Sequence, residues 1–279
     1  LDGTDEYVSI ADDNSLDFGN EDFHISFQFK SNGDWSTTTD NEVGVMTKYS
    51  QSSSQGFFIR IEGSELKVIK NNFNIVTPIG SILDNEWHSV DIDFNFSNEQ
   101  INFFYDGILV DNGLLQDVSN SDDNDESLNI GVNWDLSDTF NGYLDNIQIW
   151  NISLSEEQVQ QYTNCLPIGN EEGLVGYWNF EEGPNSLEVI DLSSNENHGT
   201  IYPNSNLEYN EDTPNNCSTL SCSDTDEITV TFSPEGCTDE TACNYDENAL
   251  CDDGSCEYMD DVDLGNDIET CESTWTLDA

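Results

Sequence analysis

Along the first 150 positions, apolar and polar residues alternate in short runs. Phe23, Ile25, Phe27 and Phe29 alternate with polar neighbours, as do residues 87–94 (WHSVDIDF) and 101–105 (INFFY). Runs at 7–10, 43–49, 57–61, 66–69 and 128–132 have similar length and composition. A period of two over four to eight residues predicts half-buried strands. Asp106-Gly107 predicts a hairpin turn into the strand at 108–110. Many short strands with turn signals between them predict a β-sandwich. The stretch that organises the rest is 140–151, FNGYLDNIQIWN, entered through a turn at Asn141-Gly142. Strict alternation puts Tyr143, Asp145, Ile147 and Ile149 on one face and Leu144, Asn146, Gln148 and Trp150 on the other. Apolar residues on both faces place this strand inside the sandwich, not at its edge. Trp87 and Trp178, with alternating apolar neighbours, read as core.

The pattern changes once. Residues 153–162 (SLSEEQVQQY) predict a helix, capped by Ser153 or Ser155, with Glu156 and Glu157 at the positive end of its dipole. Further strands are predicted at 173–180, 189–190, 199–202 and 227–232, and a cysteine-dense, nearly coreless stretch follows at 236–258.

Charge narrows the functional classes. Five Lys and Arg face 58 Asp and Glu, a formal net charge of −53, and no base follows Lys70. Counterion release on a nucleic-acid backbone needs Lys and Arg, so nucleic acid is excluded as a partner. With 14 Phe, 10 Tyr and 6 Trp, the chain is not a disordered acidic tail either. None of the eight cysteines precedes Cys165, and their spacing is not that of a zinc ribbon. They read as disulfides of an oxidising, extracellular setting, secreted or on the cell surface. No apolar run is long enough for membrane insertion. A chain that starts at Leu1 without a signal peptide is read as a segment of a longer secreted polypeptide.

Several stretches resemble a known family. LDGTDEYVSI, NEWHSVDIDFN, INFFYDGILV, LNIGVN and FNGYLDNIQIWNISLSEEQVQQ occur in the order found in laminin-G-like domains, members with the pentraxins of the concanavalin A-like lectin group. The resemblance covers about residues 1–163. It implies an all-β jelly-roll sandwich with one short helix. EEGLVGYWNFEEG and VIDLSSNENHGTIY resemble the part that usually precedes the LDG strand. They either begin a second, truncated domain or close the same sandwich as a circular permutation; the second reading is preferred because too little chain follows.

The expected organisation is a sandwich over 1–216, with 164–216 as its closing segment, and a connector strand at 217–235. A disulfide-rich repeat at 236–258 and the start of an immunoglobulin-like or PKD-like module at 259–279 follow. GCTDETACNYDENALCDDGSCEY resembles a short repeat of large secreted and cell-surface proteins of marine bacteria. That resemblance implies a Cys237–Cys256 pair with an inner Cys243–Cys251 bridge. A Cys165–Cys217 bridge would staple the closing segment on. Cys222 and Cys271 are left unassigned.

Candidate chemistry is sparse. Retaining glucanases of this fold need two carboxylates in an E-x-D-x-x-E arrangement on one strand. No such motif exists here, and no nucleophile elbow, so the expectation is no enzyme and no catalytic residues. Asp145, a carboxylate in mid-strand, needs a partner if buried, and with so few bases a metal ion is a better candidate than arginine. The family resemblance implies structural Ca²⁺ on Asp2, Gly3 through its carbonyl, and Asp145, with Asp5 as a further candidate; the alternative is that Asp145 only hydrogen-bonds a turn. Oxygen-only ligands of these types suit Ca²⁺. In the cysteine repeat, Asn244, Asp246 and Asn248 alternate like the first ligands of an EF-hand, but Ala249 and Ser255 stand where Gly and Glu are required. Asp239, Asp252 and Asp253 either complete a different Ca²⁺ cage or are simply solvated. Three loop aromatics, Trp35, Tyr49 and Trp134, are candidates for stacking on a carbohydrate ligand. The resulting expectation is a calcium-dependent carbohydrate-binding or adhesion module that adjoins further domains of the same chain. The alternatives are a structural spacer in a stalk or filament, or an accessory domain of a secreted enzyme.

Overall fold

The computed structural model describes residues 1, 3–32, 42–63, 65–70, 73–78, 84–115, 124–183, 186–203, 235–249 and 251–258. The chain divides into two compact units, Leu1–Leu220 and Ser221–Ala279.

In the first unit the strands are β1 (Tyr7–Ile10), β2 (Phe23–Ser31), β3 (Glu42–Ser50), β4 (Gln55–Glu62), β5 (Glu65–Lys70), β6 (Phe73–Pro78) and β7 (Trp87–Asn95). There follow β8 (Gln100–Tyr105), β9 (Ile108–Leu114), β10 (Leu128–Ile130) and β11 (Gly142–Trp150). The helix α1 (Glu156–Asn164) leads to β12 (Leu174–Trp178), β13 (Glu188–Val189) and β14 (Gly199–Tyr202). An eight-stranded sheet has the order β13-β14-β1-β10-β3-β4-β5-β6, and a six-stranded sheet the order β12-β11-β2-β7-β8-β9. All their pairings are antiparallel. This is the expected jelly-roll sandwich. The segment from β12 to β14 contributes to both sheets: β12 pairs with β11, and β14 pairs with β1.

Alternation sets the core. Phe23, Ile25, Phe27 and Phe29 of β2 are fully buried and meet Phe57, Ile59 and Ile61 of β4 within one apolar cluster. Phe23 stacks on Phe94 at 4.1 Å and on Phe18 at 4.6 Å. Trp178 lies in this core as expected. Trp87 does not: it is half-buried on the outer face of the six-stranded sheet, 6.3 Å from Tyr143. β7 alternates strictly, and Val90, Ile92 and Phe94 take its inward positions.

Strict alternation also fails in β11, which lies inside its sheet between β12 and β2. Its pairing with β2 shifts between Asp145 and Gln148, and Asn146 adopts a left-handed φ of 49°. This bulge reverses the phase. Leu144 packs with Ile147 and Ile149 toward the core. Asp145 opposes Gln28 on the outer face, in line with Gln148 and Trp150.

The helix begins at Glu156, and Ser155 is its cap, closing a capping box with Gln158. It covers the outer face of the six-stranded sheet, where Val159 and Leu154 join Phe104, Trp150 and Tyr177 in a second apolar cluster. The Asp106-Gly107 hairpin forms as expected, with φ of 51° and 72° at the two turn residues.

The second unit contains two short parallel strands, β15 (Glu235–Gly236) and β16 (Cys251–Asp252). Cys237 is bonded to Cys256. The immunoglobulin-like start at 259–279 and the strand expected at 227–232 lie outside the described residues.

Candidate functional site

The outer face of the eight-stranded sheet holds a cluster of aromatic and hydrogen-bonding side chains. Phe57, Ile59 and Ile61 fill the core, which turns Phe58 and Arg60 outward. Thr47 opposes Phe58 across the β3–β4 pair, and Tyr49 meets the Phe58 ring edge-on at 5.1 Å and 72°. The Arg60 guanidinium lies 5.8 Å from the Phe58 centroid, a cation–π distance.

The loop between β10 and β11 folds back onto this face over Gly44. A Cβ at Gly44 would stand 2.1 Å from the backbone nitrogen of Asn133, so only glycine fits there. Gly44 N donates to Asp138 O at 2.8 Å, and Asn133 N donates to Ser137 O at 3.1 Å. Leu136 and Asp138 both take left-handed φ, 60° and 50°. Two such non-glycine residues in one loop cost about 1–3 kcal/mol each, and strain of this kind collects at binding sites. The loop carries Trp134, whose ring lies 6.5 Å from Tyr49 at 69°. Asn133 Nδ2 donates to Glu42 Oε1 at 3.1 Å, and Arg60 Nη1 pairs with Glu42 Oε2 at 2.8 Å. The result is a half-buried aromatic corner beside an Asn133–Glu42–Arg60 chain. Among the described residues, Thr47 Oγ1 and Arg60 Nε are buried without a hydrogen-bond partner.

Of the three expected ligand aromatics, Tyr49 and Trp134 meet here, and Trp35 lies outside the described residues. Phe58, Arg60, Glu42 and Asn133 join them. The F-x-R alternation of β4 and the glycine inside β3 are their traces in the sequence; the fold-back of the loop leaves none.

Of the calcium ligands expected in the sandwich, Gly3, Asp5 and Asp145 are among the described residues. Gly3 abuts Asn141, its would-be Cβ 2.8 Å from that of Asn141. Asp145 lies four residues farther along, roughly 13 Å of extended strand. Asp5 is exposed and accepts from Thr4 Oγ1 at 3.3 Å, and Asp2 lies outside the described residues. Asp145 Oδ1 accepts from Asn146 N at 2.7 Å, so the carboxylate caps the bulge. Among the described residues, no group of three or more His, Cys, Asp or Glu is arranged to hold a metal.

Burial pushes the Asp145 carboxyl up to about 7, against the Asn146 hydrogen bond and with help from Glu181. The fold therefore favours the neutral acid. The resulting cost is absent below the unfolded value of about 3.8 and grows as pH rises toward 7. Asp145→Asn is expected to stabilise the protein by roughly 2–3 kcal/mol at pH 8 and by little near pH 4. Urea denaturation at the two pH values checks this.

The outer face of the six-stranded sheet holds a polar cluster that the sequence reading missed. His24 is fully buried, with Nε2 3.1 Å from Asp91 Oδ1 and Nδ1 3.4 Å from Asp93 Oδ1. Asp93 also accepts from Leu154 N at 3.0 Å and Ser153 Oγ at 2.9 Å, which ties the approach to α1 onto the sheet. Two carboxylates on one strand are the raw material of a glycosidase. Here Asp91 and Asp93 are 2% and 1% exposed and occupied with His24.

In the second unit the expected cation ligands serve turns. Asn244 Nδ2 donates to Ser255 O at 2.6 Å while its Oδ1 accepts from Glu257 N at 2.8 Å, using both ends of the amide. Asp246, Asp252 and Asp253 each accept a backbone N–H two residues on, and Asp239 accepts from Thr241 N and Tyr258 Oη. Cys243 is half-buried; the side chain of Cys251 is outside the described residues. Cys165 is disulfide-bonded, and Cys217 lies outside the described residues.

Comparison with known proteins agrees with this architecture. A crystal structure of a candidate carbohydrate binding protein from Bacteroides ovatus aligns with a TM-score of 0.56 at 15% identity, covering 72% of this chain and 57% of that one. The binding domain of botulinum neurotoxin serotype D aligns with a TM-score of 0.47 at 16% identity, over 69% of this chain and 53% of that one. The chain thus spans little more than half the length of these structures. No curated protein matches. The family described as the concanavalin A-like lectin/glucanases superfamily matches residues 2–160, more than half of the chain, and the protein belongs to it.

Proposed function

We propose that the sandwich is a non-catalytic carbohydrate-recognition module of a secreted, multidomain surface protein, with the sugar seated at the Tyr49–Trp134 corner. The corner itself carries the reading. A pyranose presents C–H groups that pack on an aromatic face and hydroxyls that seek planar hydrogen-bonding groups. Trp134 and Tyr49 supply the faces, and Glu42, Asn133 and Arg60 supply the polar partners beside them. The burial of Asp91 and Asp93 supports the non-catalytic part, since a polymer cannot reach them. The Bacteroides ovatus protein of similar fold is described as carbohydrate binding, which agrees with this ligand class.

Glycan-array binding of the full chain tests this. Trp134→Ala is expected to weaken binding about tenfold to a hundredfold, the loss of one central aromatic anchor, with the far-UV spectrum unchanged. Calcium dependence is part of the proposal, so the array is run in millimolar calcium and again in excess chelator. Binding that survives chelation removes the ion from the proposal. Binding that survives Trp134→Ala moves the site elsewhere, and an array without any binding favours the spacer.

A further inference from the structure

We infer that the corner selects neutral glycans presented as separate chains, and rejects acidic polysaccharides and crystalline polysaccharide surfaces. The inference rests on the sugar-binding reading above and adds the ligand class to it.

Ring geometry argues the first half. Tyr49 stands at 69° to Trp134 and at 72° to Phe58. A crystalline polysaccharide is flat over many sugar rings and needs coplanar aromatics to lie on. Here the two rings are 69° apart, so no flat surface can stack on both Trp134 and Tyr49. A single chain can place one sugar face on Trp134 and the edge of that sugar against Tyr49.

Charge argues the second half. The described cations on this face are Arg60 and Lys67, neighbours across the β4–β5 pair. Each has a carboxylate already: Arg60 holds Glu42 at 2.8 Å and Glu62 at 3.6 Å, and Lys67 is bonded to Glu62. Asp135 and Asp138 flank the Trp134 side of the corner, both hydrogen-bonded to Ser137. An acidic sugar would displace an existing ion pair or lie among carboxylates, in the field of a chain of net charge −53. A neutral hydroxyl meets no such penalty. It can donate to Glu42 and accept from Arg60 without separating them.

The test is retention of the full chain by three classes of polymer at 50 and 500 mM NaCl. The classes are soluble neutral chains (dextran, galactomannan, a mixed-linkage glucan), soluble acidic chains (polygalacturonate, alginate, dextran sulfate) and powders of crystalline cellulose and chitin. Wild type is compared with Trp134→Ala and Tyr49→Ala. The expected result is retention by at least one neutral soluble polymer, weakened tenfold or more by either substitution and unchanged by salt. Acidic chains and powders should hold wild type no better than the variants. Trp134-dependent retention by an acidic chain, or by a powder, at least as strong as by any neutral chain overturns the inference and leaves a sugar site standing. If no class shows Trp134-dependent retention, the sugar-binding reading falls and the inference with it.

Discussion

Asp93→Ala is expected to destabilise the sandwich by about 3–5 kcal/mol, the usual result of removing one member of a buried charged group. For a unit of this size that is a fall of roughly 10 °C in Tm. The carboxylate has four partners: His24 Nδ1, Leu154 N, Ser153 Oγ and Asn102 Nδ2. Its loss leaves the Leu154 N–H without its acceptor and shifts the whole imidazolium load onto Asp91. Asp93→Asn keeps the shape and loses the charge, so its effect should be smaller. The pH dependence separates this role from simple packing. Burial opposes charge on His24, but hydrogen bonds to Asp91 and Asp93 prevail and raise its pKa from 6.5 to about 9. With the folded pKa above the unfolded one, the charged pair contributes fully below pH 6.5. That contribution, about 3 kcal/mol, is lost as pH rises through 9. Urea denaturation from pH 6 to 9.5 should show this slope in wild type and a much flatter one in Asp93→Ala. Equal slopes in both proteins would sink the argument.

The same cluster shows where sequence reading stops. Period-two patterns located nearly every strand of the sandwich, because burial of one face is written residue by residue into each strand. The Asp106-Gly107 hairpin was legible for a similar local reason, since its turn demands positive φ. The phase of β11 was not legible: the bulge at Asn146 is one left-handed residue, and it moves Asp145 onto the face opposite Ile147. His24 lies in a polar slot of β2 and gave no sign that Asp91 and Asp93, nearly seventy residues on, would enclose it. The functional site divides in the same way. Tyr49, at the end of a predicted strand, and Trp134, in a loop, were visible as candidate aromatics, and their meeting was not, because it depends on the loop folding over Gly44. Local periodicity encodes which way a side chain points; which distant side chain it meets is set by register and loop closure.

Lys48→Met is expected to cost about 2–4 kcal/mol, although it exchanges a buried charge for an apolar chain of similar length. A protein with five bases does not place one in the interior without consequence. Lys48 is 2% exposed, and its Nζ lies 2.6 Å from Asp12 Oδ1 and 3.1 Å from Asp17 Oδ1. It also donates to the carbonyls of Asn124 at 2.8 Å and Glu126 at 3.0 Å. One ammonium therefore fastens the β1–β2 connection and the approach to β10 onto β3. Methionine fills the volume but satisfies none of the three hydrogen-bond acceptors and leaves the Asp17 carboxylate without its cation. Asp12 and Asp17 retain some solvent contact, at 30% and 12% exposure, which keeps the cost below that of a fully buried pair. The triple variant Lys48→Met, Asp12→Asn, Asp17→Asn removes the repulsion between the carboxylates. It should recover part of the loss, while the double Asp variant alone should be destabilised. Urea midpoints of the single, double and triple variants form a closed cycle whose coupling term measures the ion cluster. Simple additivity would reduce Lys48 to a hydrogen-bond donor for two carbonyls. A coupling of 1 kcal/mol or more would establish that this highly acidic sandwich is held at that seam by charge.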